Sequence, residues 1–577
     1  LASTDDRRGT PREDHGVVPV VTRGTSIRPI RLIAPVAALA LGLLAAPAAS
    51  AQPSYLKEIA GPAGCISEYG KHGCRDAVAM HGVGSIVFSA DGENAYAAAQ
   101  DADSVLIFNR NVETGALKQK SNPHGCVSNA GHAGQCVNGR ELDGAETVAI
   151  SPDGANVYIA SRIDNGVAVF DRDPANGRLT QKPGTAGCIS VVGAGPPDNC
   201  ADGTALDGAS KVAVSPDGAN VYVASRHADA VAVFDRDPVT GALTEKAGTA
   251  ACISEDGSGG ECVDGAGLDQ PIGVIASPDG NSVYVASADS GAVAVFDRNP
   301  NSGALTQLPG TAGCISEDGS GGACSDGRGL GGVGGVEVSE DGHNVYAAAV
   351  DSNAITTFDR DPGTGALTQK AGTAGCISRA GADGCASGRG LAGTRSVVAS
   401  ADGRSAYGAS LNGDGVTIFD RDPGTGILTQ PAPRHGCINE EGVNGCADGY
   451  MLDGAERVAV APGGAYVYAA VAYSDAIVSF RRGKAPNTKI TKAPKAKVKT
   501  GRRAATVTVA FKSEEGASFR CRLDDRSYVS CTSPWSVKAR SKPGKGKRHK
   551  IRIKARDVAG NVEKKPASVG FRVIRRR

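Results

Sequence analysis

Aromatic residues are scarce, with one Trp, 13 Tyr and 11 Phe in 577 residues, and there are only two Met and nine His. So few rings exclude a nucleic-acid surface built on stacked aromatics, and so few His exclude a His-based metal framework. Gly-x-Ser-x-Gly, HExxH and phosphate-loop motifs are absent, which removes the commonest hydrolase, metalloprotease and nucleotide-binding signatures. Helical periodicity is also rare. What abounds is turn chemistry, 79 Gly and 29 Pro, and an all-β chain follows from it.

The formal charge of +1 conceals an asymmetry. Residues 483–577 hold 28 Lys and Arg against 6 Asp and Glu, whereas residues 52–482 hold 28 against 51. An acidic body therefore carries a basic tail.

The sixteen cysteines fall into close pairs: Cys65 and Cys74, Cys126 and Cys136, Cys188 and Cys200, Cys252 and Cys262, Cys314 and Cys324, Cys376 and Cys385, Cys437 and Cys446, Cys521 and Cys531. Regular pairing without CxxC spacing or His partners favours eight disulfides over a metal site, and with them an oxidising compartment. An export signal fits this reading. Arg23, Arg28 and Arg31 precede an apolar run from Leu32 to Ala48, and Ala49-Ser50-Ala51 supplies a small-residue cleavage site before Gln52. The run is short for a membrane span. A secreted or cell-surface protein, monomeric and without a span after processing, is expected, and nothing asks for a cofactor.

A unit of roughly 62 residues recurs seven times. Its Tyr falls at Tyr96, Tyr158, Tyr222, Tyr284, Tyr346, Tyr407 and Tyr468, and its Phe at Phe108, Phe170, Phe234, Phe296, Phe358, Phe419 and Phe480. Each unit reads as four short strands, as in Val212-Ala213-Val214, Val221–Ala224, Val231–Phe234 and Ala242-Leu243-Thr244, with Ser-Pro-Asp-Gly and Asp-Arg-Asp-Pro-x-x-Gly as turns. Such a unit is a propeller blade. An orphan strand at Tyr55–Ile59 would complete the last unit, which stops at Phe480. The expected fold is a seven-bladed β-propeller closed by an N-terminal strand over 52–482, after an extension and signal over 1–51. A basic linker over 483–504 and a small β-sandwich over 505–577 would follow.

The strings "VAVSPDGANVYVAS" and "AVAVFDRDPVTGALT" resemble the YVTN-type, lactonase-like seven-bladed propeller family over about residues 54–482. The resemblance implies a fold shared by sugar-lactone hydrolases, a lactone-forming cycloisomerase and many exported repeat proteins without known catalysis. It transfers no catalytic residue, and export argues against a cytosolic phosphosugar substrate. In the tail, "FRCRLDDRSYVSCTSPWS" with "ARDVAGNVE" resembles small immunoglobulin-like modules at the ends of exported bacterial proteins, which implies a spacer or adhesion role.

Between blades lies an insertion of roughly 25 residues carrying Gly-Cys-Ile-Ser and a second Cys. A disulfide closing it should contribute roughly 2 to 3 kcal/mol. Seven such loops are expected to ring the channel mouth as a recognition surface for a polar ligand or surface polymer. Their Asp-Gly content lacks the EF-hand order, so no calcium is assigned.

Positions that break the repeat are the informative ones. Entering the first strand of each unit stand Gly84, Glu146, Ser210, Ile272, Gly334, Arg395 and Glu456, with Lys211 and Arg457 adjacent. Glu146, Lys211, Arg395, Glu456 and Arg457 are the candidate ligand-binding residues, suited to a polar ligand or to the base and electrophile of lactone opening, or alternatively to plain ion pairing. Loops between second and third strands add Asp103, Arg162, Asp164, His227, Asp229, Asp289, Asp351, Asp414 and Asp475. The basic tail favours an anionic polymer. The leading functional expectation is an extracellular binding or adhesion module; the alternative is a secreted lactonase-like hydrolase.

Overall fold

The computed structural model describes residues 55–191, 199–483, 488–513, 517–544, 546–556, 563 and 566–576. The expected export signal lies outside them. The described chain is all-β, its helical pieces being 3₁₀ turns of three or four residues. None of its helices is long and apolar enough to cross a membrane.

One repeat shows how the sequence folds locally. In the third, Ala209–Val214, Asn220–Ser225 and Ala230–Arg236 pair antiparallel in order. The far half of the third strand pairs with Leu243–Glu245, and its near half with Cys252–Ser254, to which Val263–Asp264 adds in parallel. A seven-residue strand has an edge longer than the three-residue fourth strand can cover. The Cys-Ile-Ser segment covers the remainder, so the edge is not left open to foreign strands.

Seven such six-stranded sheets follow one another. The inner strand of each packs on that of the next, and the first packs on the seventh, giving a propeller-like ring. The strand-to-strand packing joins each sheet to its two neighbours, as in repeat arrays. The core therefore lies between sheets: Tyr222, Val231 and Val233 of the third pack against Val283, Val285 and Phe296 of the fourth. Burying a side chain such as Phe296 contributes roughly 2 to 3 kcal/mol.

The fold expected from the sequence, four-stranded blades closed by one N-terminal strand and followed by an Ig-like sandwich, is corrected. The sheets have six strands, because the stapled segments are sheet edge. The N-terminal region gives the seventh sheet three strands, Leu56–Glu58, Cys65–Glu68 and Arg75–Ala77. All eight expected cysteine pairs are bonded, and in the ring each ties a sheet strand to the start of the next short one. The staples thus fix strand pairing rather than shape free loops around the mouth.

Beyond the ring lie a three-stranded sheet, Lys489–Lys492 with Ala504–Lys512 and Trp535–Arg540, and a five-stranded one. The latter orders Lys497–Thr500, Ala567–Arg575, Lys547–Arg556, Ser518–Leu523 and Val529–Cys531. Val507, Val509, Leu523, Ile551, Phe571 and Val573 form their shared core. A two-sheet β unit is what this shows; the immunoglobulin likeness is one of sequence.

Candidate active site in the channel

Every inner strand carries a β-bulge at the same place. Pairing with the second strand skips one residue between Val83 and Ser85, Ala145 and Thr147, Ala209 and Lys211, Pro271 and Gly273, Val333 and Gly335, Thr394 and Ser396, and Ala455 and Arg457. The skipped residues are Gly84, Glu146, Ser210, Ile272, Gly334, Arg395 and Glu456, the seven sites singled out by the repeat. A bulge leaves its extra residue unpaired and re-aims its side chain. The scaffold therefore frees one position per repeat at one end of the channel, and five of the seven carry a side chain there.

Glu146, Arg395, Glu456 and Arg457 interact electrostatically there, and Lys211, further in, feels Glu146 and Arg457. Arg395 Nη1 donates to Glu456 Oε1 at 3.2 Å. Arg162 Nε lies 3.6 Å from Glu146 Oε2, an oxygen with no hydrogen bond. Burial pushes the Glu456 carboxyl up, against the pull of Arg395 and Arg457. Burial lowers the Arg457 guanidinium, opposed by Glu146 and Glu456, with Arg395 and Arg226 adding to the lowering. The Nε atoms of Arg457 and Arg226 are buried without hydrogen-bond partners. The candidates are thus mutually paired in part, yet retain unused donors and acceptors.

Deeper in, the inner strands enclose a cavity of about 320 Å³ whose wall is mostly Val, Ile, Ala and Gly, with Lys211, Glu337 and Arg457 as its charged residues. Lys211 has neither a hydrogen bond nor an ion pair among the described residues, and desolvation with the nearby Arg457 charge lowers its ammonium to about 7. Glu337 accepts from the Ala399 amide at 3.2 Å, and burial raises its carboxyl to about 7. Both groups keep some contact with the channel space, but protein surrounds them.

Sequence reasoning missed Glu337 and Arg226. Glu337 occupies the place held by Val87, Ala149, Ala213, Ile275, Val398 and Ala459 in the other repeats, so the same search for departures, taken two residues further, finds it. Other expectations dissolve into structure. His227 pairs with Asp207 at 3.5 Å, both half exposed. Asp103, Asp229, Asp414 and Asp475 accept the backbone amides of Gly144, Gln270, Gly454 and Gly82 and so tie each second-to-third turn to a neighbouring sheet. Glu141 lies beside Cys188 and Cys200, but those sulfurs are bonded to each other and offer no thiolate.

A family profile described as "Lactonase, 7-bladed beta-propeller" matches residues 181–314. The likeness is to lactonase-type propellers. A 6-phosphogluconolactonase of Bacillus subtilis is 26% identical over 170 residues, covering 29% of this chain and 41% of that one. The match thus spans well under half of that lactonase. Among solved structures, a putative 6-phosphogluconolactonase from Bacteroides fragilis shares 19% identity with a TM-score of 0.43, covering 60% of this chain and 81% of its own. A periplasmic gluconolactonase from Pseudomonas aeruginosa shares 20% with a TM-score of 0.42, covering 60% and 83%.

Proposed function

We propose that the chain is a lactonase-type hydrolase that opens a polar lactone at the bulge-lined end of the channel. The observation that carries this reading is the convergence of the repeat-breaking residues, Glu146, Arg395, Glu456, Lys211 and Arg457, on one channel within a scaffold that otherwise repeats itself. Ester hydrolysis needs a base for water and cationic donors for the oxygen that becomes an alkoxide and then a carboxylate. Glu146, whose Oε2 accepts no hydrogen bond and is ion-paired with Arg162, is the base in this reading. Arg457 and Lys211 hold the reacting carbonyl and the product carboxylate, and the Arg395–Glu456 pair orients them. The binding or adhesion role expected first gives way, since the stapled segments are sheet edge and the relatives are lactonases.

The test is turnover of glucono-δ-lactone and its 6-phosphate above the spontaneous rate, followed by proton release. Removing a general base typically costs about 10²- to 10⁴-fold, so Glu146→Gln should lose at least 100-fold in kcat with the fold intact. Rates equal to the uncatalysed background for both lactones, or a fully active Glu146→Gln, would overturn the proposal.

A further inference from the structure

The five-stranded sheet beyond the ring has one buried and one outward face. On Lys547–Arg556 the residues His549, Ile551, Ile553 and Ala555 point into the core, which sends Arg548, Lys550, Arg552 and Lys554 outward. The cross-strand register places like charges directly opposite one another: Arg520 faces Lys554, Arg522 faces Arg552, and Arg548 faces Arg572, which in turn faces Lys497. Directly opposed like charges destabilise a sheet. Three such rungs on one face are a cost that a bound anion would relieve. Among the described residues, Asp525 is an acid at its periphery, 3.7 Å from Arg552 Nη1 and 95% exposed.

We propose that this face binds a linear phosphodiester polymer through its phosphates. Strands lie about 4.8 Å apart and alternate residues about 6.8 Å apart along them, so the rungs form a two-dimensional grid of cations on which successive phosphates of a flexible chain find partners. The predominance of Arg favours bidentate contact with phosphate. Stacking with bases is not provided for. Tyr528, a ring beside the face, lies under the Arg522 guanidinium at 4.7 Å, and Ser568 and Gly570 stand opposite Arg552 and Lys550.

The experiment uses the full chain with labelled poly(glycerol phosphate), an oligo(dT) of equal charge and polygalacturonate. Poly(glycerol phosphate) should bind at low salt, with oligo(dT) no tighter and polygalacturonate at least tenfold weaker. The variant Arg520→Gln, Arg548→Gln, Lys554→Gln should weaken binding at least tenfold and reduce the salt slope by about 2, since each phosphate contact on a single strand contributes about 0.7. Its melting temperature should stay level or rise, because opposed charges are removed. A control on the other sheet, Lys512→Gln, Lys538→Gln, Arg540→Gln, removes the same charge and should leave affinity within twofold. Equal losses in the two variants, salt-independent binding, tightest binding to polygalacturonate, or clear preference for oligo(dT) would each overturn the proposal.

Discussion

The outer and inner parts of the ring obey opposite rules. Toward the outside, six of the seven junctions repeat one arrangement: the Arg closing the third strand of one sheet donates through Nε to the Tyr hydroxyl of the sheet before it, as Arg236 to Tyr158 at 2.8 Å, Arg298 to Tyr222 at 2.7 Å and Arg421 to Tyr346 at 2.6 Å. That hydroxyl in turn donates to a Gly carbonyl of the next sheet, as Tyr222 to Gly303 at 3.0 Å. Along the channel, equivalent positions carry Gly, Glu, Ser, Ile and Arg. Stability uses the same latch at six junctions, whereas a ligand site needs differences that repetition would erase.

Breaking one latch should have the largest effect on stability. Arg298 is 1% exposed and reaches Tyr222, the Gly280 carbonyl, Asp217 and Asn220. Arg298→Met leaves the Tyr222 hydroxyl, the Asn220 side chain and the Gly280 carbonyl buried without their donor, while the exposed Asp217 turns to water; each orphaned buried group costs about 1 to 3 kcal/mol, so a loss of about 3 kcal/mol or more is expected. The denaturant midpoint reports it. A loss below about 1 kcal/mol, the range of an exposed ion pair, would show that the latches are ornament on a core held by packing alone.

The inner wall should answer to pH instead. Glu337 titrates near 7 in the fold against an ordinary 4.5, so as pH rises between these values the unfolded chain sheds a proton the fold retains, and stability falls. Lys211 titrates near 7 against an ordinary 10.5, so above 7 the unfolded chain retains a proton the fold has shed, and stability rises with pH. Because channel water screens both groups, each limb is worth about 1 to 3 kcal/mol. Compared with the parent, Glu337→Gln should lose the falling limb and Lys211→Met the rising one. Lys211→Met also removes a cation that opposes the rise at Glu337, so the falling limb should extend upward. Denaturant midpoints from pH 4 to 10 would show this, and parallel curves for parent and variants would refute it.

The period, the ring-forming aromatics and the cysteine pairs were legible in the sequence because each is stated seven times. The repeat also pointed to Glu146, Arg395 and Glu456, since departures stand out against it. Strand count was not legible: Cys252-Ile253-Ser254 is too short to announce a strand, and only the uncovered half of Ala230–Arg236 makes it one. The Arg of Asp-Arg-Asp-Pro and the Asp of Ser-Pro-Asp-Gly read locally as turn residues, while their partners lie about 80 positions away, as Arg236 and Asp153 do. Turn chemistry and the inter-sheet latch use the same residues, and the sequence displays only the nearer role.

The smallest expected effect falls where the latch is incomplete. In the seventh sheet the strand beside Ala476–Arg482 comes from elsewhere in the sequence: Leu56–Glu58 of the N-terminal region supplies it. Among the described residues no Gly carbonyl accepts from the sixth sheet's Tyr407, whose buried hydroxyl makes no hydrogen bond with them, while Arg482 lies over its ring at 5.8 Å and bonds Ser405 instead. Tyr407→Phe should therefore change stability by less than about 0.5 kcal/mol, whereas Tyr222→Phe removes a donor to Gly303 and an acceptor from Arg298 and should cost about 1 to 3 kcal/mol. Equal losses would mean that the hydroxyl matters by some route other than the latch. A stabilised Tyr407→Phe would sharpen the contrast, because an unsatisfied buried hydroxyl is itself a cost.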